Sequence, residues 1–347
     1  MSPGTTSWAL GLRIDGKEVD AKYMESVATV RVVQDVDAVG SLALEIVGPK
    51  EDIFAWLDDA GADEGSPVEV EMGDRRRRAL VFAGEITGLE VDFRGSLAVS
   101  LSLRGYDLRH RLMRACTPQS YQEVKDSEVA SKIGQRHGLQ VDATATKITH
   151  PYLLQAKQSD YEFLRERARV NGFEVVMIGK TLHFRPVGHT APASLQLSAQ
   201  TELLEFHAVV TSMNQATELQ VGGWDMANTR AIVGKVGSAA LGRDSGPGRA
   251  RRAFGDGVVA TGEFPVASQA EAEALARAQL LERALGHVSA EATLAGDSRI
   301  HAGMVVAITD VGARLSGDYY VSAATHEFDL LGSGRYETRL QLRRATS

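Results

Sequence analysis

Cysteine is almost missing from this chain. Cys116 is the only one, so no internal disulfide can form and a disulfide-stapled scaffold is excluded. A lone cysteine fits a chain folded in a reducing compartment. A positive balance is missing too: 38 Lys and Arg against 45 Asp and Glu give a formal charge of −7. That argues against a protein that grips nucleic acid through a general basic field. No run approaches the ~18 consecutive apolar residues of a membrane span. The first thirty residues lack the basic start and apolar core of a secretory leader. The expectation is a soluble chain made in the cytoplasm, without membrane insertion of its own. Chemical signatures are equally scarce. The nine histidines form no His-Glu-x-x-His and no zinc-spaced Cys/His cluster. No Gly-x-Ser-x-Gly elbow and no cofactor box occur, so no catalytic residue, metal or cofactor is expected.

What is present is ordinary globular material. The 347 residues are 44% hydrophobic and 24% charged, enough for two or three domains with a sizeable core. The first hundred residues carry strand patterns. Ala28–Val33, Pro67–Met72 and Leu97–Leu103 alternate apolar with polar, and Leu42–Val47 is an apolar run closed by Gly48 and Pro49. A period of two means one buried and one wet face. Glu51–Ala60 reads as a helix stopped by Gly61.

The texture changes from 111 to 190. Asp126 or Ser127 is expected to cap a helix running to His137, with Gly138 as its left-handed stop. Ser159 and Glu162 spell a capping box, opening a helix with Phe163, Leu164, Ala168 and Val170 that ends at Asn171-Gly172. Phe173–Ile178 and Thr181–Phe184 then form a hairpin about Gly179-Lys180. From 191 strands return. Residues 237–262 hold seven glycines and four arginines without periodicity and read as a long mobile loop. Ser268 and Glu271 spell a second capping box. The helix it opens runs to Leu285, with Leu275, Ala278, Leu281 and Leu285 as its stripe.

The two β regions echo one another. In each, a helix precedes a strand (Val68–Met72; Met304–Thr309), then a longer one (Phe82–Phe93; Ser316–Phe328), a turn, and an alternating strand (Leu97–Leu103; Tyr336–Leu342). The fold class expected is mainly β with an α+β insertion. A tube-like antiparallel barrel in 1–110, a small α+β domain in 111–190 and a second barrel in 191–347 would compose it. Three copies of such a duplicated chain can close a ring of six similar units, joining a sixfold tube to a threefold partner.

Several strings together resemble one family. They are Gly105-Tyr-Asp-Leu-Arg-His-Arg-Leu112, Ser127-Glu-Val-Ala-Ser-Lys-Ile133, Gln158-Ser-Asp-Tyr-Glu-Phe-Leu164, Val221-Gly-Gly-Trp-Asp225 and Gly317-Asp-Tyr-Tyr-Val321 with His326. In this order they resemble the phage late control protein D family and the N-terminal hub of VgrG spike proteins, over roughly 80–345. The resemblance implies a structural baseplate hub of a contractile tail or injection system, assembled into that particle. It implies a homotrimer with the inner tube protein on one face, a spike on the other, and further baseplate proteins around it. VgrG chains continue into a further domain and a β-helical needle; this chain reaches Ser347 without them, so the expected spike is a separate polypeptide.

Two basic groups are the candidate partner contacts. Arg75, Arg76, Arg77 and Arg78 lie between two strands and read as a solvated hairpin tip, with contact to an acidic partner or a channel lining as the other reading. Arg243, Arg249, Arg251 and Arg252 sit in the glycine-rich segment and either touch a neighbouring subunit or spike or simply solvate it. Its Gly237–Asp244 stretch lacks the Lys and Ser/Thr of a phosphate loop. His326 reads as a satisfied structural histidine, and Asp225 as a turn cap. The rival reading is a tail-associated cell-wall hydrolase, which needs two carboxylates flanking one bond, or a peptidoglycan-binding tail protein using 111–190. A zymogram on the purified chain separates enzyme from scaffold.

Overall fold

The computed structural model describes residues 8–59, 61–94, 98–225, 228–262, 266–332 and 334–347. The chain begins with β1 (Trp8–Ile14), β2 (Lys17–Glu18), α1 (Ala21–Met24), β3 (Val27–Asp35) and β4 (Ser41–Gly48). Helix α2 (Lys50–Asp59) is followed by β5 (Pro67–Asp74), β6 (Arg78–Arg94) and β7 (Ala98–Asp107). The period of two is realised: Val30, Val32, Leu42, Leu44, Ile46, Val68, Val70, Met72, Leu101 and Leu103 all turn into one core. Helix α2 lays Ile53 and Trp56 on that core, and the indole donates to the Tyr23 carbonyl at 3.1 Å. Ala60 and Leu97, expected at the ends of a helix and a strand, lie outside the described residues.

A 3₁₀ turn (Leu108–Met113) leads to β8 (Gln119–Lys125), α3 (Asp126–Arg136), β9 (Gln140–Ala143), β10 (Thr149–Gln155), α4 (Asp160–Asn171), β11 (Phe173–Ile178) and β12 (Thr181–Pro186). The capping box at α4 is present: the Ser159 hydroxyl accepts from the Glu162 amide at 3.2 Å, and the Glu162 carboxylate accepts from the Ser159 amide at 2.8 Å. Gly172 stops α4 at φ +68°, and Gly138 follows α3 at the same angle. The hairpin turns on Gly179 (φ +58°) and Lys180, with Ile178 opposite Thr181. The start of α3 differs from expectation. Glu128 accepts from the Lys125 amide at 2.9 Å, while Asp126 is turned into the interior and Ser127 bonds Thr146. Asp126 has stronger donors inside than a helix end offers.

The remainder comprises β13 (Leu195–Ser198), β14 (Leu203–Val210), β15 (Glu218–Asp225), β16 (Arg230–Gly237), a 3₁₀ turn (Ser238–Leu241), α5 (Gly246–Phe254), β17 (Val258–Thr261), α6 (Gln269–Leu285), β18 (Val288–Ala295), β19 (Val305–Thr309), β20 (Gly317–Asp329) and β21 (Arg335–Arg344). The expected loop at 237–262 is therefore corrected: it holds a 3₁₀ turn, a helix and a strand. The Ser245 hydroxyl caps α5 on the Gly248 amide at 3.3 Å, Pro247 presets its first turn, and Ala250 is buried. The arginines, read only as charge, are good helix formers. Helix α6 is half as expected. Ser268 caps the Glu271 amide at 3.2 Å, but the Glu271 carboxylate takes the Ala267 amide at 3.0 Å. Its fully buried stripe is Ala272, Leu275, Ala276 and Leu280, packed on the β16-β15-β17 sheet. Ala278 and Leu281, expected on that stripe, face a cleft beside α4 instead.

The two β regions share one strand order. The first runs β5-β6-β7-β4-β3, the second β19-β20-β21-β18-β14, antiparallel throughout. Even the bulges match: β6 slips between Ile86 and Gly88 against β7, and β20 between Val321 and Ala323 against β21. Strands β3 and β14 slip likewise, between Val27 and Thr29 and between Leu203 and Glu205. The helices are not equivalent, contrary to the echo in the sequence. Helix α2 joins β4 to β5, whereas α6 precedes β18, the counterpart of β4. Strand β3 also pairs with β20, from Asp35 opposite Ala323 to Thr29 opposite Asp329. That joint fuses both halves into one 13-stranded curled sheet.

His326 sits on this joint, fully buried. Its Nε2 donates to the Ile300 carbonyl at 3.0 Å and its Nδ1 accepts from the Tyr336 hydroxyl at 2.7 Å. Burial pushes the imidazole down to about 4, against the pull of the Ile300 carbonyl. A folded pKa below the unfolded one means the unfolded chain binds more protons between pH ~6.5 and ~4. Stability should thus fall as pH drops through that window. Melting curves at pH 7 and pH 5 check this, and His326→Gln should flatten the difference.

Candidate functional site

The structure places the two expected basic groups apart. Arg75, Arg76 and Arg77 form the exposed turn between β5 and β6, folded over the Asp74 carboxylate, which accepts from the Arg76 and Arg77 amides at 2.7 and 2.8 Å. Arg78 opens β6 and donates to the Leu10 carbonyl at 3.1 Å. The second group clusters around α5. Arg252 donates to the Arg243 carbonyl at 2.6 Å, and Arg251 pairs with Asp256 at 2.8 Å. Arg249 donates to the Ser347 and Asp244 carbonyls. No hydrogen bond or ion pair joins the two groups among the described residues. Asp225 caps its turn, accepting from the Asn228 amide at 3.1 Å.

Sequence reasoning missed three buried polar clusters where the α+β segment meets the sheet. In the first, Asp126 takes Arg167 Nε at 2.6 Å, His150 at 3.0 Å and Asn171 at 2.8 Å; Arg167 continues to Glu271 of α6 at 3.3 Å. Burial works to raise the Asp126 carboxyl, but the bonds from His150, Arg167 and Asn171 win and hold it at about 2. The second cluster lies within the string Gly105–Leu112. Arg109, 1% exposed, forks onto Asp107 at 2.7–3.1 Å and donates to the carbonyls of Val175 and Asp35 at 3.0 and 3.1 Å. In the third, Glu174 of β11 accepts from Tyr320 of β20 and from Arg185 at 2.8 Å, and Arg185 also reaches the Gly303 carbonyl at 2.9 Å. Burial raises the Glu174 carboxyl in spite of those donors. One signal was available: Arg167 falls three residues after Leu164, on the apolar stripe of α4, where an arginine needs a partner.

A cleft of about 640 Å³ opens between α4 and α6, floored by Phe173, Glu174 and Tyr320. Its other carboxylates have work already. Glu162 caps α4, Glu166 accepts from Gln158 at 2.6 Å, Asp37 pairs with Arg343 at 2.8 Å, and Glu282 lies 3.6 Å from Arg169. Among the described residues no three His, Cys, Asp or Glu side chains converge on a metal position. No described helix is long and apolar enough to cross a membrane. Chemically, these clusters lock three segments into fixed orientation, since removing one partner strands a buried charge.

Comparison with solved structures gives the fold context. The chain is similar to the 43 kDa tail protein of prophage MuSo2 from Shewanella oneidensis, at TM-score 0.73 and 13% identity, covering 98% of this chain and 100% of that one. It is similar to a tail protein from Neisseria meningitidis MC58 at TM-score 0.70 and 15% identity, covering 97% of each. A third is the E. coli c3393 protein, a type VI secretion component described as structurally similar to bacteriophage T4 tail proteins. There the TM-score is 0.59 with 12% identity, covering 95% of this chain and 76% of that one. At these identities the likeness is one of fold. No curated protein sequence matches the chain. The family model described as the Alg8 N-terminal domain matches residues 5–329, and the chain belongs to that family.

Proposed function

We propose that this chain is the structural, non-catalytic hub of a contractile tail or contractile injection system baseplate, of the late control protein D and VgrG-hub type. Three copies form a pseudo-sixfold ring that joins the inner tube to a separately encoded spike, with other baseplate proteins packed outside. One observation carries this reading: two halves of a single chain with the same strand order and the same two β-bulges. Such a chain presents each surface twice, so threefold assembly yields six near-equivalent modules. The likeness to tail and type VI secretion proteins supports it, as do cleft carboxylates already committed to the chain's own donors.

The division of labour follows. Residues 1–110 and 191–347 supply the two modules, and 111–190 is a brace held between them by Arg109, Arg167 and Glu174. Arg75–Arg78 and the group of Arg243, Arg249, Arg251 and Arg252 are partner contacts of this ring. Light scattering coupled to size exclusion tests the assembly: 3 × 37.3 kDa, about 112 kDa, is expected. A single-chain mass in concentrated protein and in the presence of the spike overturns it.

A further inference from the structure

Strand β3 ends the first half's sheet and docks on β20 of the second half. Its counterpart β14 ends the second half's sheet, yet its outer edge pairs with nothing among the described residues. The counterpart of β20 is β6, and there the docking edge is open beyond Ile86. The equivalence is close at this point. Ile86 exchanges backbone bonds with Gly65 and Ser66, at 2.7 and 3.0 Å; Val321 does the same with Gly303 and Met304, at 2.8 and 2.9 Å. Beyond Val321 the edge is taken over by β3, whose flank at Val36 donates to the Ser322 carbonyl at 3.0 Å. Beyond Ile86 no strand takes that place among the described residues.

Burial tells the same story. Phe328 and His326 are 5% and 0% exposed beneath β3, while their counterparts Phe93 and Val91 are 53% and 44% exposed. Val30 and Val32 of β3 are fully buried, while their counterparts Phe206 and Ala208 only partly cover their core. We infer that β14 of one copy adds antiparallel to the distal half of β6 (Thr87–Phe93) of the next copy, in the register of β3 on β20. Counting from the matching bulges puts Phe206 opposite Phe93, Ala208 opposite Val91 and Val210 opposite Leu89 on the core side. His207 falls opposite Asp92 on the wet side, where β3 and β20 set Arg31 opposite Glu327. Each half-covered core is thereby closed by its neighbour, and two open edges that would otherwise recruit foreign strands are consumed. The occupant is a second copy because this chain itself carries, in β14, the counterpart of the strand that docks on β20, with the same bulge and the same register. Head-to-tail joining follows from the edges alone; closure at three copies rests on the proposed function.

The test uses the full chain with Cys116→Ser. Ala208→Cys combined with Val91→Cys, mildly oxidised, should give disulfide-linked species of two and three chains and a closed three-chain end point. Ala208→Cys with Asp92→Cys, whose side chains point to opposite faces, should cross-link at least tenfold less. Val91→Asp should abolish assembly while leaving the circular dichroism of the fold unchanged. A three-chain mass without Ala208–Val91 cross-links overturns this pairing and leaves the hub intact. Cross-links running past three chains keep the pairing and overturn the closed ring. A concentrated chain that stays single and uncross-linked overturns the pairing, as does equal cross-linking in the control.

Discussion

Arg167→Ala should cost about 3–5 kcal/mol, because it leaves two buried carboxylates, Asp126 and Glu271, without their shared cation. Both are nearly inaccessible, at 1% and 5% exposure, so water cannot replace the guanidinium. Urea unfolding reads the loss, and a change below about 1 kcal/mol would mean that the cluster is dispensable. Arg167→Lys should recover only part, since an ammonium cannot fork between Asp126 Oδ1 and Glu271 Oε1. The consequence reaches beyond stability. Glu271 belongs to α6 and Asp126 to α3, so the cluster fixes how the α+β segment sits against the second half. Acid should act in the same place: with the Asp126 carboxyl held at about 2, its contribution is present above the unfolded value near 4 and is lost as pH falls through about 2.

Trp56→Ala should cost a similar ~3–5 kcal/mol by a different route, the cavity left by a fully buried indole. The Tyr23 carbonyl also loses its donor, and the tilted contact between the two rings at 5.6 Å disappears. Trp56→Phe keeps most of the volume and should cost markedly less, which separates packing from the hydrogen bond. Both variants are read by the urea midpoint at unchanged slope. Equal losses for Ala and Phe would show that the hydrogen bond, not the filled volume, holds α2 on the sheet.

Much of the architecture was legible because it is local. Alternation at Ala28–Val33 and Pro67–Met72 exposes its own buried face, and Ser159 with Glu162 states a helix start within four residues. Where local rules compete, reading failed for identifiable reasons. Asp126 has the chemistry of a cap, but a guanidinium forty-one residues away binds it more strongly than free amides do. Arginines and glycines at 237–262 read as a loop because the cap at Ser245, the proline and the buried Ala250 carry too little periodicity to register. The stripe of α6 was right at Leu275 and Leu285, which are buried, and wrong at Ala278 and Leu281, because its apolar residues spread over two faces and only its neighbours decide which is core.

The amino-acid order by itself determined the alternating strands of the two β regions, the hairpin at Gly179, most helix stops and the duplicated rhythm, all set by backbone sterics and nearest-neighbour periodicity. Only the tertiary structure decided which edges meet. The hydrogen bonds between strands are backbone to backbone, and an alternating strand shows which face is buried but not which neighbour it will meet. The residues therefore do not announce that β3 finds β20 while, among the described residues, β14 and the far half of β6 have an unpaired edge.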